Sequence, residues 1–381
     1  MKYVLTIVLL CIIASLSFAQ SPTVQQKTTP SLEKLLNSDG TINTKSGFTG
    51  SLDPKGFRMT TGPNGEPRFV KPNKVTSPAF TNDGWDERFN PPGANGTVYA
   101  VCVGNECIII GGDFTTVGGV HANHIAQWGG AQWDSMGTGT NGPVYAIAFN
   151  SGYPGFYVGG EFTSAGGVSA NNIAFCDRLG YVWNALGSGA NGAVRALAFD
   201  RLDHNLYVGG DFTASGGLTL NHIARVEGSY HGGDWHALGS GTNARVSSLL
   251  LENSSPFIDN SLPLYIGGDF TTAGGVGANS IAKWNGTTWS ALGSGLMYGW
   301  FGARVLALTK MGSSIYAAGD FMNAGGKDAV NIARWDGSSW YAAGSTSGSG
   351  FPFGYAEILA LATDGVTLYA GETLQQLGVG P

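Results

Sequence analysis

The chain has 381 residues, of which 61 are glycine and 12% are charged. That length and that turn-rich, weakly charged composition fit one large β domain or two ordinary domains. The formal net charge is −6 and there is no run of basic residues, so the sequence does not favour a nucleic-acid partner, whose binding depends on clustered Lys and Arg.

Residues 1–19 have the pattern of a secretory signal peptide. Lys2 precedes an apolar run over residues 3–13, and residues 17–19 form a small-x-small cleavage site. The apolar run is short for a spanning helix, and no later segment approaches the roughly 20 apolar residues that such a helix needs. We therefore expect a protein that is secreted or held at the cell surface and has no membrane span.

Two segments separate the signal peptide from the rest of the chain. Residues 20–46 are rich in Ser, Thr, Gln and Lys and poor in apolar residues, which predicts a flexible leader. Residues 47–84 form an irregular N-terminal segment with a turn signal at residues 63–65. Residues 85–381 are assigned to a repeat domain.

A short phrase recurs along that domain: Gly-Gly, then Asp or Glu, then Phe-Thr. Its copies are Gly111–Thr115, Gly159–Thr163, Gly209–Thr213 and Gly267–Thr271, with a weaker copy at Ala318–Phe321. The acidic residues of successive copies are 48, 50, 58 and 51 residues apart. A period of this size predicts an array of supersecondary units.

Each repeat contains four short apolar runs of strand type. In the second repeat they are Val144–Phe149, Phe156–Gly160 and the residues around Ile173 and Trp183. Gly, Asn and Ser clusters bound these runs, and no amphipathic helical pattern lies between them. Four antiparallel strands with both sheet faces apolar are typical of propeller blades, so the predicted fold is all-β, a β-propeller.

The repeats predict six four-stranded blades. The first strands begin near Val98, Val144, Val194, Val246, Val305 and Ile358. The sequence ends soon after the second strand of the last repeat, while residues 85–89 resemble an outer strand with no repeat before it. We therefore expect the last blade to be closed by strands from both termini, with a contribution from residues 47–84. The alternative is a fragment cut within the array.

The repeats also resemble those of known propellers. An apolar strand ending in Gly-Gly, then a loop, a strand and a Trp, is similar to kelch-type repeats, including those of galactose oxidase. The stretch Gly267–Gly295 looks more specifically like a propeller repeat of secreted Bacteroidetes proteins and of fungal cortical-marker proteins. The resemblance implies a β-propeller over roughly residues 85–372 and no particular activity. The Tyr, His and Cys ligands of the galactose oxidase copper site have no counterpart here, so we predict no cofactor and no metal.

Three cysteines follow the signal peptide. Cys102 and Cys107 flank a Gly104-Asn105 hairpin turn that would place them opposite each other, where a disulfide could form in an oxidising compartment. The alternative is a pair of reduced cysteines that only pack. Cys176 occupies a position that holds Trp in other repeats, which predicts a buried, inert thiol.

Several polar residues of the repeat have two interpretations. The acidic residue of each phrase could belong to a ring of Ca²⁺ sites, but one carboxylate per blade is sparse. We predict instead that it caps the following Thr-x-x-Gly-Gly loop. His124 and His222 share a position with Asn172, Ser280 and Asn331, which favours a tolerated polar loop residue over a catalytic base. The recurring Trp residues are interpreted as core.

The candidate contact residues lie where the repeat is broken. Two neighbouring blade connections are enlarged and aromatic, whereas elsewhere the link is a plain Gly-Ala-Asn-Gly type. The predicted ligand-binding residues are Tyr298, Trp300, Phe301, Phe351, Phe353 and Tyr355. Such aromatics could bind protein or carbohydrate, or they could plug the channel mouth. A weaker candidate on the opposite face is formed by Tyr230, His231 and the insertion at 252–263.

These observations predict a secreted, non-catalytic propeller that serves as an interaction or adhesion module for protein or glycan. The alternative is a secreted carbohydrate-active enzyme on a propeller scaffold. Glycosidases need two carboxylates that face one cleft, and no such pair stands out, so we predict no catalytic residue.

Overall fold

The computed structural model describes residues 36–38, 41, 58–61, 67–70, 93–104, 107–150, 153, 155–178, 180–228, 232–252, 263–299, 301–343 and 357–372. The chain divides into two compact units, one of residues 1–17 with 87–381 and the other of residues 18–86. In the smaller unit β1 (Arg58–Thr61) pairs antiparallel with β2 (Pro67–Val70), and Arg58 lies opposite Val70. The predicted signal peptide and nearly all of the predicted leader lie outside the described residues.

The larger unit is built from β-strands. In the first repeat they are β3 (Thr97–Gly104), β4 (Cys107–Asp113), β5 (Thr116–Val117), β6 (Val120–His121), β7 (Ile125–Trp128) and β8 (Trp133–Ser135). In the second they are β9 (Val144–Asn150), β10 (Gly155–Gly160), β11 (Ser164–Ala165), β12 (Val168–Ser169), β13 (Ile173–Asp177) and β14 (Trp183–Ala185). In the third they are β15 (Val194–Phe199), β16 (Leu206–Gly210), β17 (Ala214–Ser215), β18 (Leu218–Thr219), β19 (Ile223–Glu227) and β20 (Asp234–Ala237).

The remaining strands follow the same order, with one addition. In the fourth repeat they are β21 (Val246–Leu251), β22 (Leu264–Gly268), β23 (Thr272–Ala273), β24 (Val276–Gly277), β25 (Ile281–Trp284) and β26 (Trp289–Ala291). The connection after it contains β27 (Leu296–Tyr298) and β28 (Phe301–Gly302). The fifth repeat has β29 (Arg304–Met311), β30 (Ser314–Asp320), β31 (Asn323–Ala324), β32 (Lys327–Asp328), β33 (Ile332–Trp335) and β34 (Trp340–Ala342), and β35 (Ile358–Thr363) and β36 (Leu368–Glu372) follow.

Each of the first five repeats folds into one four-stranded antiparallel sheet. The sheets are blade 1 (β3-β4-β7-β8), blade 2 (β9-β10-β13-β14), blade 3 (β15-β16-β19-β20), blade 4 (β21-β22-β25-β26) and blade 5 (β29-β30-β33-β34). β35 and β36 form a two-stranded sheet. The first strands contact one another in chain order from β3 to β35, so they are the inner strands. The described residues contain no helix, which confirms the all-β prediction, whereas the number of blades stays a prediction.

Between its second and third strands each blade carries a short hairpin whose two strands have two residues each. We call it the small hairpin, and its copies are β5–β6, β11–β12, β17–β18, β23–β24 and β31–β32. The sequence pattern predicts only a loop there. The described part of the chain contains no helix that is long and apolar enough to cross a membrane.

The two glycines of the repeated phrase are required by close packing. A Cβ on Gly159 would lie 2.4 Å from Cγ1 of Val194 in the next inner strand, so the first glycine lets adjacent blades touch. A Cβ on Gly160 would lie 2.1 Å from the carbonyl oxygen of Pro143 in the same blade. Each glycine therefore marks a contact that no larger residue can make without moving backbone.

Tryptophans at the start of the fourth strands join neighbouring blades. The Nε1 of Trp183 donates to the Met136 carbonyl of the preceding blade at 3.1 Å, and that of Trp289 donates to Leu238 at 2.8 Å. Trp235 and Trp340 make the same bond to Leu186 and Leu292. Trp133, Trp183, Trp289 and Trp340 are also buried, which confirms their interpretation as core residues.

The β3–β4 hairpin corrects one predicted register. Gly104 lies opposite Cys107, and Cys102 lies opposite Ile109. The two cysteines are therefore diagonal neighbours on one face rather than direct partners, because the turn is one residue further along than predicted. Diagonal positions are typically ~7–8 Å apart, beyond the usual Cα separation of a disulfide. Cys176 is buried, and burial raises its pKa, in agreement with an inert thiol. A bond between Cys102 and Cys107 stays a prediction.

Candidate functional site

The connection between blades 4 and 5 is folded into a β-hairpin. β27 pairs with β28, so that Met297 lies opposite Gly302 and Tyr298 lies opposite Phe301. β27 also pairs with β31, which extends the small hairpin of blade 5 into a four-stranded sheet of order β28-β27-β31-β32. In blades 1–4 the small hairpin is a two-stranded sheet. The aromatic connection is therefore an added structural element and not only a change of sequence.

The structure places some of the predicted contact residues. Tyr298 lies at the end of β27 with a half-buried side chain, and the backbone of Phe301 lies in β28. Outside the described residues lie Trp300, Phe351, Phe353, Tyr355, Tyr230, His231 and the segment 253–262. The contact role of all of them stays a prediction.

The predicted cap of the small hairpin is made by a different residue. In blade 4, Oδ1 of Asn243 accepts the backbone N–H groups of Thr271 and Thr272 at 2.9 Å each, and its Nδ2 donates to Oγ1 of Thr271 at 2.8 Å. Asn95, Asn141 and Asn191 make the same set of bonds in blades 1–3. The assignment of this cap to the phrase's acidic residue is therefore wrong, because the blade connection supplies a side chain of the right length from above the loop.

The acidic residues instead lie at the mouth of the channel between the inner strands. Each lies at the end of a second strand or directly after it, beside the start of the first strand; in blade 1, Thr97 lies opposite Asp113. The small hairpins and the blade connections lie at the same edge, because Asn141 of a connection bonds to Ser164 of a small hairpin. We call this edge the connection face.

A β-bulge in every inner strand presents one further side chain at this mouth. In β3, Val98 lies opposite Gly112 and Ala100 lies opposite Gly111, so Tyr99 has no partner position. The corresponding bulged residues of the other inner strands are Tyr145, Arg195, Ser247, Leu306 and Leu359. A bulge leaves its extra residue outside the ladder and re-aims its side chain. The flanking positions keep Val or Ile before and Ala or Ser after, while the bulged residue differs from blade to blade.

Arginines and acids form a chain of ion pairs around blades 3 to 5. Arg195 contacts Asp211 at 2.7 Å, and Arg245 lies between Asp211 at 3.7 Å and Asp269 at 2.5 Å. Arg304 contacts Asp320 at 3.3 Å. It also pairs with Glu357, just before β35. Half-exposed pairs of this kind are worth little singly, but together they fix the side chains around the mouth.

The mouth at blades 1 and 2 has tyrosines instead. The rings of Tyr99 and Tyr145 meet edge to face at 5.2 Å, and the guanidinium of Arg195 lies 4.4 Å from the Tyr145 centroid. The Tyr145 hydroxyl donates to Oε2 of Glu161 at 3.1 Å. Burial raises the pKa of Tyr145 and this hydrogen bond adds to the effect, so the phenol keeps its proton and remains a donor.

Below the mouth lies a cavity of about 350 Å³. Tyr99, Ile147, Leu197, Leu249 and Leu361 are among its lining residues, which come from five of the inner strands. Its wall is mostly apolar, and Tyr99 stands where the wall meets the charged mouth. Among the described residues, no group of three His, Cys, Asp or Glu side chains could hold a metal ion.

The histidines of the repeat occupy a left-handed backbone position. His124 and His222 have φ of 63° and 70°, and the equivalent Asn172, Ser280 and Asn331 have φ of 62° to 64°. Here the backbone N–H of His222 donates to the Phe212 carbonyl at 2.9 Å. Residues with short polar or ring side chains tolerate this conformation, which explains why the position varies among His, Asn and Ser.

The bulged residues are not among the residues predicted from the sequence, and the acids lie elsewhere than predicted. The available signal was the position of Tyr99 in the repeat, which holds Tyr, Arg, Ser, Leu and Leu in the five later repeats while its neighbours stay nearly constant. It was hidden because a bulge changes the pairing without changing the apolar pattern of the strand.

One family model matches the chain, and it is described as the Rax2 C-terminal β-propeller domain. The match covers residues 131–299, from the fourth strand of blade 1 to the β27–β28 hairpin. No curated protein matches the sequence. The kelch-type and bacterial parts of the predicted resemblance stay predictions. The chain folds as a β-propeller that is similar, over residues 131–299, to the Rax2 C-terminal β-propeller domain.

Proposed function

We propose that this protein is a secreted, non-catalytic interaction or adhesion module that binds protein or glycan through its connection face. The observation that carries the proposal is the β27–β28 hairpin, which replaces a plain link by an added pair of strands bearing aromatic residues. Aromatic side chains supply large contact area and are enriched in binding surfaces.

The setting of the hairpin supports this proposal. Its pairing with β31 attaches it to the small hairpin of blade 5, so that its backbone is held before any ligand arrives. A rigid support lowers the entropy that must be lost on binding. Nearby, Met322 is 42% exposed and its backbone N–H donates to the Met297 carbonyl, so apolar surface continues from the hairpin onto blade 5.

The charges of the mouth favour binding over hydrolysis. Asp211, Asp269 and Asp320 each contact an arginine. Glycoside hydrolysis needs two carboxyl groups that face the substrate across one cleft, whereas each of these carboxylates is held by an arginine side chain. These carboxylates therefore suit a fixed charged rim.

The test is a binding screen of the secreted protein against a glycan array and a panel of extracellular proteins. Wild type is compared with Trp300→Ala/Phe353→Ala and with the control Leu202→Ala, which alters an exposed residue after β15 at the opposite edge. We expect the double variant to lose the ligand that wild type and the control bind. Unchanged binding by the double variant would refute the contact residues, and turnover of any polysaccharide would refute the non-catalytic assignment.

A further inference from the structure

The two sides of the channel mouth differ in whether the acidic residues have arginine partners. Blades 3, 4 and 5 each place an arginine against the acid of the phrase. In blades 1 and 2 the acids are Asp113 and Glu161, and in the described part of the chain neither has a Lys or Arg within ion-pair distance. The bulged residue beside each of them is a tyrosine. This side of the mouth thus carries two carboxylates without a Lys or Arg partner among the described residues, and the nearest basic side chain to Asp113 is His124, whose Nδ1 lies 3.7 Å from Oδ1.

Three residues on this side are open to a ligand. Tyr99 is 49% exposed, and the side chain of Asp113 is 59% exposed. Leu359, the bulged residue of β35, is 47% exposed. β3 and β35 both line the cavity beneath the mouth, so that an aromatic face, an aliphatic surface and a carboxylate border one opening.

The protein itself contains a related arrangement, in which the carboxylate comes from the blade after the tyrosine. One blade further on, the guanidinium of Arg195 lies over the ring of Tyr145 at 4.4 Å and bonds to Asp211 through Nε at 2.9 Å. A cation over a tyrosine face with a carboxylate beside it is therefore a stable geometry on this scaffold. Tyr99 and Asp113 offer a tyrosine and a carboxylate of one blade, and the next bulged residue beside Tyr99 is Tyr145 rather than an arginine.

We propose that the channel mouth at Tyr99, Asp113 and Leu359 binds a lysine or arginine side chain of a partner protein. The cationic head lies over the Tyr99 ring and contacts Asp113, while the aliphatic stem packs on Leu359 at the rim of the opening. Long basic side chains combine an apolar stem with a charged tip in this way. The proposal rests on the proposed interaction function, but it uses different residues of the connection face from the β27–β28 hairpin.

The test measures binding of labelled peptides by fluorescence anisotropy. The probe is an eight-residue peptide of alternating Gly and Arg, and the matched control peptide has citrulline in place of Arg, which keeps the shape and removes the charge. We expect the Arg peptide to bind at submillimolar concentration and the citrulline peptide to bind at least about fivefold more weakly. Binding of the Arg peptide should weaken from 50 to 300 mM salt, because exposed charges are screened.

Protein variants locate the site. Tyr99→Leu keeps the apolar bulk and removes the aromatic face, and Asp113→Asn removes the charge; each should weaken the Arg peptide about three- to tenfold. Asp203→Asn removes one exposed carboxylate after β15, at the opposite edge, and should bind as wild type does. Thermal unfolding of every variant shows whether it is folded.

Three outcomes would overturn the proposal: no binding of the Arg peptide at 1 mM, equal binding of the citrulline peptide, or equal loss in Asp203→Asn and Asp113→Asn. These outcomes are independent of the hairpin. If Trp300→Ala/Phe353→Ala still binds the Arg peptide but loses its glycan or protein ligand, both proposals stand. If that variant changes nothing while Tyr99→Leu loses the peptide, the predicted hairpin contact fails and the mouth is retained.

Discussion

A single methyl group at Gly267 should push blades 4 and 5 apart. A Cβ there would lie 2.4 Å from Cγ1 and 3.0 Å from Cβ of Val305, whereas carbon atoms pack best at about 3.5–4.0 Å. Gly267 is held by Ser248 on one side and Ile281 on the other, and Val305 is fully buried. The clash must therefore be relieved by movement of paired backbone.

The expected cost follows from two opposing effects. Overpacking of a tight core costs about 1–3 kcal/mol, and the loss of glycine freedom in the unfolded chain returns about 0.4–1 kcal/mol. We expect Gly267→Ala to lower the free energy of unfolding by about 1–2 kcal/mol. For a domain of this size that corresponds to a fall in Tm of about 2–6 °C.

A double-mutant cycle identifies the cause. Val305→Ala alone removes buried methyl groups and is destabilising, but it also removes the atom that the new Cβ would strike. Gly267→Ala/Val305→Ala should therefore be more stable than the sum of the single effects by about 1 kcal/mol or more. Urea unfolding followed by tryptophan fluorescence measures all four proteins. Strict additivity would refute the close contact between the blades as the reason for the glycine.

Three further predictions concern other parts of the fold. Burial lowers the pKa of His222, so the folded protein binds a proton at His222 less readily than the unfolded chain does. The protein therefore loses stability as the pH falls below the unfolded pKa of about 6.5. Between pH 7.5 and 5.5 the fall in Tm should be smaller in His222→Asn than in wild type, and it should not be smaller in the exposed control His204→Asn. Asn243→Ala removes the small-hairpin cap and should cost about 1 kcal/mol in urea unfolding, whereas Gln132→Ala, at an exposed side chain on blade 1, should cost less. Deletion of residues 85–89 should lower Tm markedly if these residues close the last blade, and an unchanged Tm would reject that closure.

The strands were predictable because their signal is local. Val144–Phe149 and its counterparts show apolar runs between Gly, Asn and Ser, and hydrophobic burial selects those runs for inner strands. The turn at Asn285-Gly286 is equally local, and Trp284 lies opposite Trp289 across it. Such features depend on neighbours only a few residues apart.

The functional arrangement was less predictable because it depends on contacts between repeats. Nothing near Asp211 in the sequence indicates Arg245 of the next blade as a partner. Asn243 caps residues 28 and 29 positions away, so its role was assigned to the nearer acid. Tyr99 follows the pattern of a strand residue, and only the pairing on either side of it shows that it leaves the ladder.

The bulge in each inner strand creates a position whose residue can change without disturbing the strand pairing. A residue inside the ladder is constrained by its opposite neighbour and by the next blade, but Tyr99 and its five counterparts lie outside the pairing. Each duplication of a blade thus adds a position that can mutate at little cost to the scaffold. A lineage that copies such blades gains a circle of adjustable side chains around one opening, so that specificity can change by exchanging single residues rather than by remodelling loops.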